Sequence, residues 1–474
     1  MKHYPSRLYT IPMAAVLAFA LDASAADQTA ANQTVATPPS DFFTKPNWLT
    51  DLSLGVKEGY DDNLLLVADK TPGLAAKSSW ITTVSPKVGF NFAPLIGDQK
   101  VLQTLSLSYT PDFNLYHDDS QESYNAHRVA NSVKGSAGDF SFSGDNAFLY
   151  NDGSRTAPIY AVSQAAGANN SLDKNRSAYA TAVPRERRDQ IQDRTSLVFQ
   201  YDIDKFFIRP TASLLYYDLM TDWHKAAAAT VPGGPSWVGY QNYASRADVN
   251  GGADFGYKVT SDLALTLGYR YGHQYQQAFT PTVDSTYHSS SDYQRVLVGV
   301  EGTPLSWLNV KVLGGPDFRN YNDTAPLNDK NYNTYYGEAL LTATISKDQT
   351  VSFTYKQWQW VSSTGKCPYF ESTYILNYHW NATKHWGFDL TGKYLESDYT
   401  SGSAAEAGTS YLRDDIQYTA GAGVTYTFNK HLSANVSYAY DLGRNNEDAA
   451  AIAATAGYRN FDHQLVSLGV QYKF

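Results

Sequence analysis

Apolar and polar side chains alternate along most of this chain with a period of two. In the stretch from Leu263 to Arg270, Leu263, Leu265, Leu267 and Tyr269 fall on one face, and Ala264, Thr266, Gly268 and Arg270 on the other. Successive side chains of a strand point to opposite faces, so each such stretch reads as a β-strand with one apolar side. The same pattern recurs at Leu105-Leu107-Tyr109, Leu197-Phe199-Tyr201, Ile208-Pro210-Ala212-Leu214-Tyr216 and Tyr418-Ala420-Ala422-Val424-Tyr426-Phe428. With weaker segments included, the alternation predicts about eighteen strands, sixteen also being allowed. Their starts fall near 51, 80, 101, 126, 139, 194, 205, 242, 261, 293, 307, 335, 349, 370, 386, 415, 431 and 464.

The connections carry a second regularity. Short turns fall at APLIGDQ, SAGD, DIDK, VTSD, GTPLS, ISKDQ, WNATKH and TFNKH, which is every second connection. The others are mostly long, at 61–79, 151–193, 218–241, 273–292, 320–334, 360–369, 397–414 and 441–463, with 117–125 of modest length. Short turns on one rim and long loops on the other are the signature of an outer-membrane barrel whose two ends both lie in the periplasm. The fold class expected is all-β, a transmembrane antiparallel up-and-down barrel spanning residues 49–474.

The start of the chain fits that destination. Residues 1–25 carry Lys2 and Arg7, an apolar run from Ile11 to Leu21, and Ala23-Ser24-Ala25, the pattern of a cleaved secretory signal peptide. Residues 26–48 then read as a flexible periplasmic segment. Cleavage removes Lys2, Arg7 and Asp22, so the mature chain is still more acidic than the full sequence, whose net charge is −9. An acidic chain of this kind offers no footprint for nucleic acid.

Composition poses a puzzle that a barrel resolves. The 37 tyrosines, 9 tryptophans and 21 phenylalanines are many aromatics, yet mean hydropathy is −0.41. In a barrel only alternate residues meet lipid, so the average stays polar. Cys367 is alone, which excludes an internal disulfide. Aromatics cluster beside the short turns, at Phe90 and Phe92, Phe140 and Phe142, Tyr201, Phe206, Tyr257, Trp307, Trp386, Tyr426 and Phe428, and Tyr472 and Phe474. Amphipathic rings favour the membrane interface, so these predict a periplasmic-side girdle. The expected surroundings are outer-membrane lipid and lipopolysaccharide. The final stretch LVSLGVQYKF resembles the closing strand of such barrels, and Phe474 the aromatic signal read by the barrel-insertion machinery.

A family resemblance can be placed on particular residues. LSLGVKEGYDDNLLL (52–66), WITTVSPKVGFNF (80–92) and LSLSYTPDFNLYHDDSQESYNAHR (105–128) resemble the opening of the β-barrel porin 2 family of Gram-negative bacteria. VKVLGGPDFRNY (310–321) is similar to one of its mid-barrel strands. The resemblance implies a bacterial outer-membrane location; it brings no substrate and no catalytic residues.

Function is therefore sought on the inward faces. Opposite the apolar positions stand nine cations, Arg128, Lys134, Arg194, Arg209, Arg270, Arg295, Lys311, Lys356 and Lys393, against four carboxylates, Asp112, Glu301, Glu338 and Asp389. A basic lumen in an acidic protein predicts a pore for small polar, anionic solutes, since Arg and Lys replace part of an anion's lost hydration. Paired charges that only solvate the wall are the plainer alternative. The long connection 151–193, with Arg176, Arg185, Arg187 and Arg188, is a candidate constriction, a surface lid fitting its composition equally well. Two other roles stay open: an exporter of a secreted polysaccharide, and a plugged barrel with a structural or surface-binding role. Standard metal, nucleotide and hydrolase motifs are absent, and no cofactor is expected. His117, His127 and His379 have hydroxyls and carboxylates nearby in sequence, as chance alone would place them, so the chain is not read as an enzyme. Asp61-Asp62-Asn63 and Asp118-Asp119 read as solvated turns rather than calcium loops.

Overall fold

The computed structural model describes residues 45–64, 66, 76–96, 99–154, 188–218, 220, 245–277, 290–322, 331–361, 368–399, 413–447 and 460–474. Eighteen strands follow one another in them: β1 (Leu49–Asp61), β2 (Ser79–Asn91), β3 (Leu102–Tyr116), β4 (Tyr124–Ala137), β5 (Phe140–Ser154), β6 (Arg188–Ile203), β7 (Phe206–Asp218), β8 (Arg246–Lys258), β9 (Leu263–Gln276), β10 (Ser291–Leu305), β11 (Leu308–Tyr321), β12 (Asn331–Ser346), β13 (Gln349–Trp360), β14 (Tyr369–Asn381), β15 (Trp386–Tyr399), β16 (Arg413–Thr427), β17 (Leu432–Glu447) and β18 (Phe461–Lys473). Every segment expected from the alternation is a strand. The largest offset is β6, expected near 194 and beginning at Arg188. Its first three residues, Arg188, Asp189 and Gln190, are polar on both faces, so no hydrophobic pattern marks them; ladder pairing extends the strand, with Gln190 opposite Asn151 and Asp189 opposite Asp152.

Each strand pairs antiparallel with its neighbours in sequence, and β1 closes the ring by pairing with both β2 and β18. Val56 lies opposite Val84 on one side and Val470 on the other. Closure leaves no free edge, the condition for placing a sheet in hydrocarbon, where an unpaired backbone group costs several kcal/mol. The register puts the apolar positions on the outer face, where Val56, Leu267, Val298, Leu390 and Leu468 are all exposed. The short connections lie at one rim together with the start of β1 and the end of β18. Around that rim runs the expected girdle, built of ring contacts such as Trp48 with Phe90, Phe140 with Phe199, Phe206 with Tyr257, and Trp386 with Tyr426. The chain is an antiparallel transmembrane barrel of the bacterial outer membrane.

Three expectations fall elsewhere. The signal peptide, nearly all of the 26–48 segment, and Cys367 lie outside the described residues.

Candidate functional site

The inward face divides into two unlike walls. From β6 to β14 it is filled by large polar and aromatic side chains packed on one another. Arg295 Nε lies 2.7 Å from Asp317 Oδ2, and Arg319 Nη2 reaches the same oxygen at 2.8 Å. The Tyr293 ring sits under both guanidinium groups, at 4.0 Å and 4.9 Å, and its hydroxyl donates to Asp248 at 2.9 Å. Nearer the short turns, Arg209 grips Glu301 with both terminal nitrogens, while Asp254 takes Arg270 at 2.7 Å. Pairing and ring contact offset the heavy cost of taking these charges out of water. Glycines make the room: a Cβ at Gly272 would lie 2.4 Å from the Tyr293 ring, and one at Gly256 would lie 1.9 Å from the Phe207 ring.

The upper end of β13 completes this wall from across the lumen. β13 pairs only with β12 and β14. Yet the Gln359 carbonyl accepts from Gln274 Nε2 of β9 at 2.9 Å and Arg319 Nη2 of β11 at 3.3 Å. Beyond the strand, the Val361 carbonyl accepts from Arg246 Nη1 of β8 at 2.8 Å. Arg246 also donates to the Tyr369 hydroxyl, and its guanidinium lies 5.1 Å from both the Trp360 and the Tyr217 rings. Trp358 and Trp360 stack at 4.5 Å and form a buried cluster with Val361 and Tyr369. The end of β13, with Val361 and Tyr369, is therefore clamped to strands that are not its neighbours.

The opposite wall, from β15 through β18 and β1 to β5, is lined by small and polar residues. Thr419, Gly421, Gly423 and Ser437 are half-buried there, and Asn435, Ala130, Arg128 and Lys134 are exposed. A Cβ at Gly421 would find nothing nearer than 3.7 Å. Some carboxylates on this wall have partners: Asp112 pairs with Arg128, Asp389 lies 2.7 Å from His379 of β14, and Asp61 and Asp441 lie 3.1 Å and 3.2 Å from His463. Lys57, Lys134 and Lys393 have no carboxylate partner among the described residues.

All thirteen residues singled out for the lumen lie in register on the inward face, but they are not one site. Arg194, which donates to the Tyr217 hydroxyl at 3.3 Å, Arg209, Arg270, Arg295, Glu301 and Glu338 belong to the packed wall. So does Lys356, its ammonium 3.8 Å from the Trp358 ring centre, while Lys311 pairs in register with Glu301. Arg128, Lys134, Asp112, Lys393 and Asp389 belong to the small-residue wall. The basic excess counted from sequence is offset by inward acids that the apolar pattern did not mark, among them Asp145, Asp248, Asp254, Asp317, Glu371 and Asp441. Arg246, Arg319, Gln274, Trp358 and Trp360 were missed as well. The two tryptophans share the parity of Lys356 in KQWQW, the one sign that they face inward.

The candidate constriction also resolves differently. β5 continues to Ser154 and β6 starts at Arg188, so 151–154 and 188–193 are strand. Arg176, Arg185 and Arg187 lie outside the described residues. His117 and His127 project outward, hydrogen-bonded to Thr82 and Tyr109. Asp61 Oδ1 accepts from the Asn63 amide at 2.9 Å, a turn-forming contact.

No protein-family model matches the sequence, and no curated protein is similar to it in sequence. Solved structures of similar overall shape include OccK2 (OpdF) of Pseudomonas aeruginosa in complex with glucuronate, at 11% identity, 90% of this chain and 98% of that chain, TM-score 0.39. Others are OpdK of the same organism, at 9%, 90%, 99% and 0.38, and the siderophore receptor PirA of Acinetobacter baumannii, at 10%, 90%, 81% and 0.37. Likeness at this level carries no argument about ligand or mechanism.

Proposed function

We propose that this chain is a non-enzymatic outer-membrane channel that passes small polar solutes, with a preference for anions, along the wall formed by β15–β18 and β1–β5. The observation that carries the reading is the asymmetry of the lumen. One wall is filled, its cations packed on carboxylates, tyrosine hydroxyls and aromatic rings, and the other presents small side chains, with Lys57, Lys134 and Lys393 lacking a carboxylate partner among the described residues. Unpaired cations beside water attract anions and lower the cost of stripping their hydration, whereas cations held by carboxylates contribute little field. Lys57, Lys134 and Lys393 are then solute contacts, and Arg209, Arg270 and Arg295 support the wall. The resemblance to the β-barrel porin 2 family agrees with a pore, and the same reading makes Phe474 the aromatic recognised on insertion.

Conductance of the purified barrel in a planar bilayer, with a KCl gradient across it, tests the proposal. Stable single-channel steps with a reversal potential displaced toward chloride are expected. A folded barrel without steps would leave a plugged barrel with a structural or surface role as the better account.

A further inference from the structure

The ladder between β12 and β13 is shorter than either strand. It rises from Ser346 opposite Gln349 to Gly337 opposite Gln357 and stops there. Above that level β12 continues to Asn331 along β11, and β13 continues to Trp360 along β14. Residues 332–336 and 358–360 are therefore laddered on one side only, and among the described residues no ladder joins their facing edges. Just below, the outer rings of Tyr355, Tyr374, Tyr394 and Tyr418 lie in a row at 5.0, 5.7 and 5.0 Å. Such a row marks the membrane interface. The parting starts three residues above Tyr355 along β13, so its open backbone groups stand above the hydrocarbon, where water can meet them.

The two edges are in register to pair. From Thr344 with Thr350 to Gly337 with Gln357 the ladder keeps one register, and its continuation is Tyr336 with Trp358, Tyr335 with Gln359 and Thr334 with Trp360. Gly337 at the foot of the parting faces Gly314 of β11, a side-chain-free pair about which the top of β12 can bend.

What holds the edges apart is the clamp on the end of β13. The Gln359 carbonyl is taken by Gln274 and Arg319, and the Val361 carbonyl by Arg246. Strands five places apart stand roughly 24 Å apart around a wall of this kind, far beyond the reach of one side chain, so the Arg246 contact pinches the ring between β8 and β13. Bonded and non-bonded pairs alternate in an antiparallel ladder, so three further pairs would add about two to four backbone bonds against the three of the clamp. The clamped arrangement also leaves the fully buried Gln359 carboxamide without a partner on either its oxygen or its nitrogen, a costly state. Neither arrangement dominates on its bonds.

We infer that the end of β13 is a two-position latch at the long-loop rim: clamped to β8, β9 and β11 it narrows the lumen, and zipped onto β12 through Tyr335 and Gln359 it widens it. The latch itself is a property of the fold, while its effect on aperture rests on the channel reading above.

The test uses the full folded chain in a Cys367→Ser background. Tyr335→Cys/Gln359→Cys should close a disulfide under mild oxidation. Adding Arg246→Leu or Gln274→Leu, each of which removes a clamp donor, should speed that closure severalfold. The pair Thr342→Cys/Ser352→Cys, already opposite one another in the ladder, is the reference, and its rate should not respond to either substitution. In a planar bilayer the oxidised Tyr335→Cys/Gln359→Cys barrel should hold one conductance above the wild-type mean and return to wild-type behaviour on reduction. No disulfide in a barrel that keeps its heat-modifiable mobility overturns the latch, and so does a rate that Arg246→Leu and Gln274→Leu leave unchanged. A disulfide that forms without altering the current of a conducting barrel overturns the aperture role. A barrel that passes no current at all counts against the channel reading alone, and the cross-linking rates still decide the latch.

Discussion

Arg246 on β8 holds the main chain just past the end of β13: its Nη1 lies 2.8 Å from the carbonyl oxygen of Val361. The two strands are five places apart in the ring, and no ladder bond joins them. This is a side-chain clamp on a backbone, with the guanidinium seated between the Tyr217 and Trp360 rings.

Releasing the clamp should widen the pore. Arg246→Leu removes the donor to Val361 and Tyr369 while keeping an apolar stem against the rings. Single-channel conductance is expected to rise and to fluctuate more, with the heat-modifiable fold unchanged. A conductance indistinguishable from wild type would mean that the hairpin end lies outside the water path.

The lone lysines should set selectivity. Exchanging Lys57, Lys134 and Lys393 together for Glu is expected to move the reversal potential toward cation preference. The shift should be largest at low salt, because the Debye length shrinks from ~30 Å at 0.01 M to ~3 Å at 1 M. Arg209→Glu instead places a third carboxylate beside Glu301 and Asp254, so its main effect should be lower stability.

Lipid exposure gives a register test. Leu265→Arg on the outer face is expected to cost about 2–4 kcal/mol of folding free energy in vesicles by urea titration, and the inward Thr391→Arg far less. Equal costs would invert the assignment of faces.

The packed wall should be intolerant of added volume. Gly272→Val directs new methyl groups into the Tyr293 ring, and overpacking of this kind costs roughly 1–3 kcal/mol. A lowered unfolding midpoint is expected, partly recovered in Gly272→Val/Tyr293→Leu. No recovery would show that the strain lies in the backbone rather than at the ring.

The strands, their number and parity, the outward face and the aromatic girdle were legible from residue order alone. They follow from a period of two and from the length of each connection, both local properties of the chain. The alternation also put Arg209, Arg295 and Lys356 on the inward face. It could not tell that Arg209 meets Glu301 three strands away, or that Arg295 shares Asp317 with Arg319, because parity assigns a face and not a partner. Which inward charges are neutralised depends on side-chain reach across a curved wall and on gaps left by Gly256 and Gly272. The clamping of Gln359 and Val361 is still less local: it rests on hydrogen bonds from β8, β9 and β11, which come near β13 only once the ring has closed.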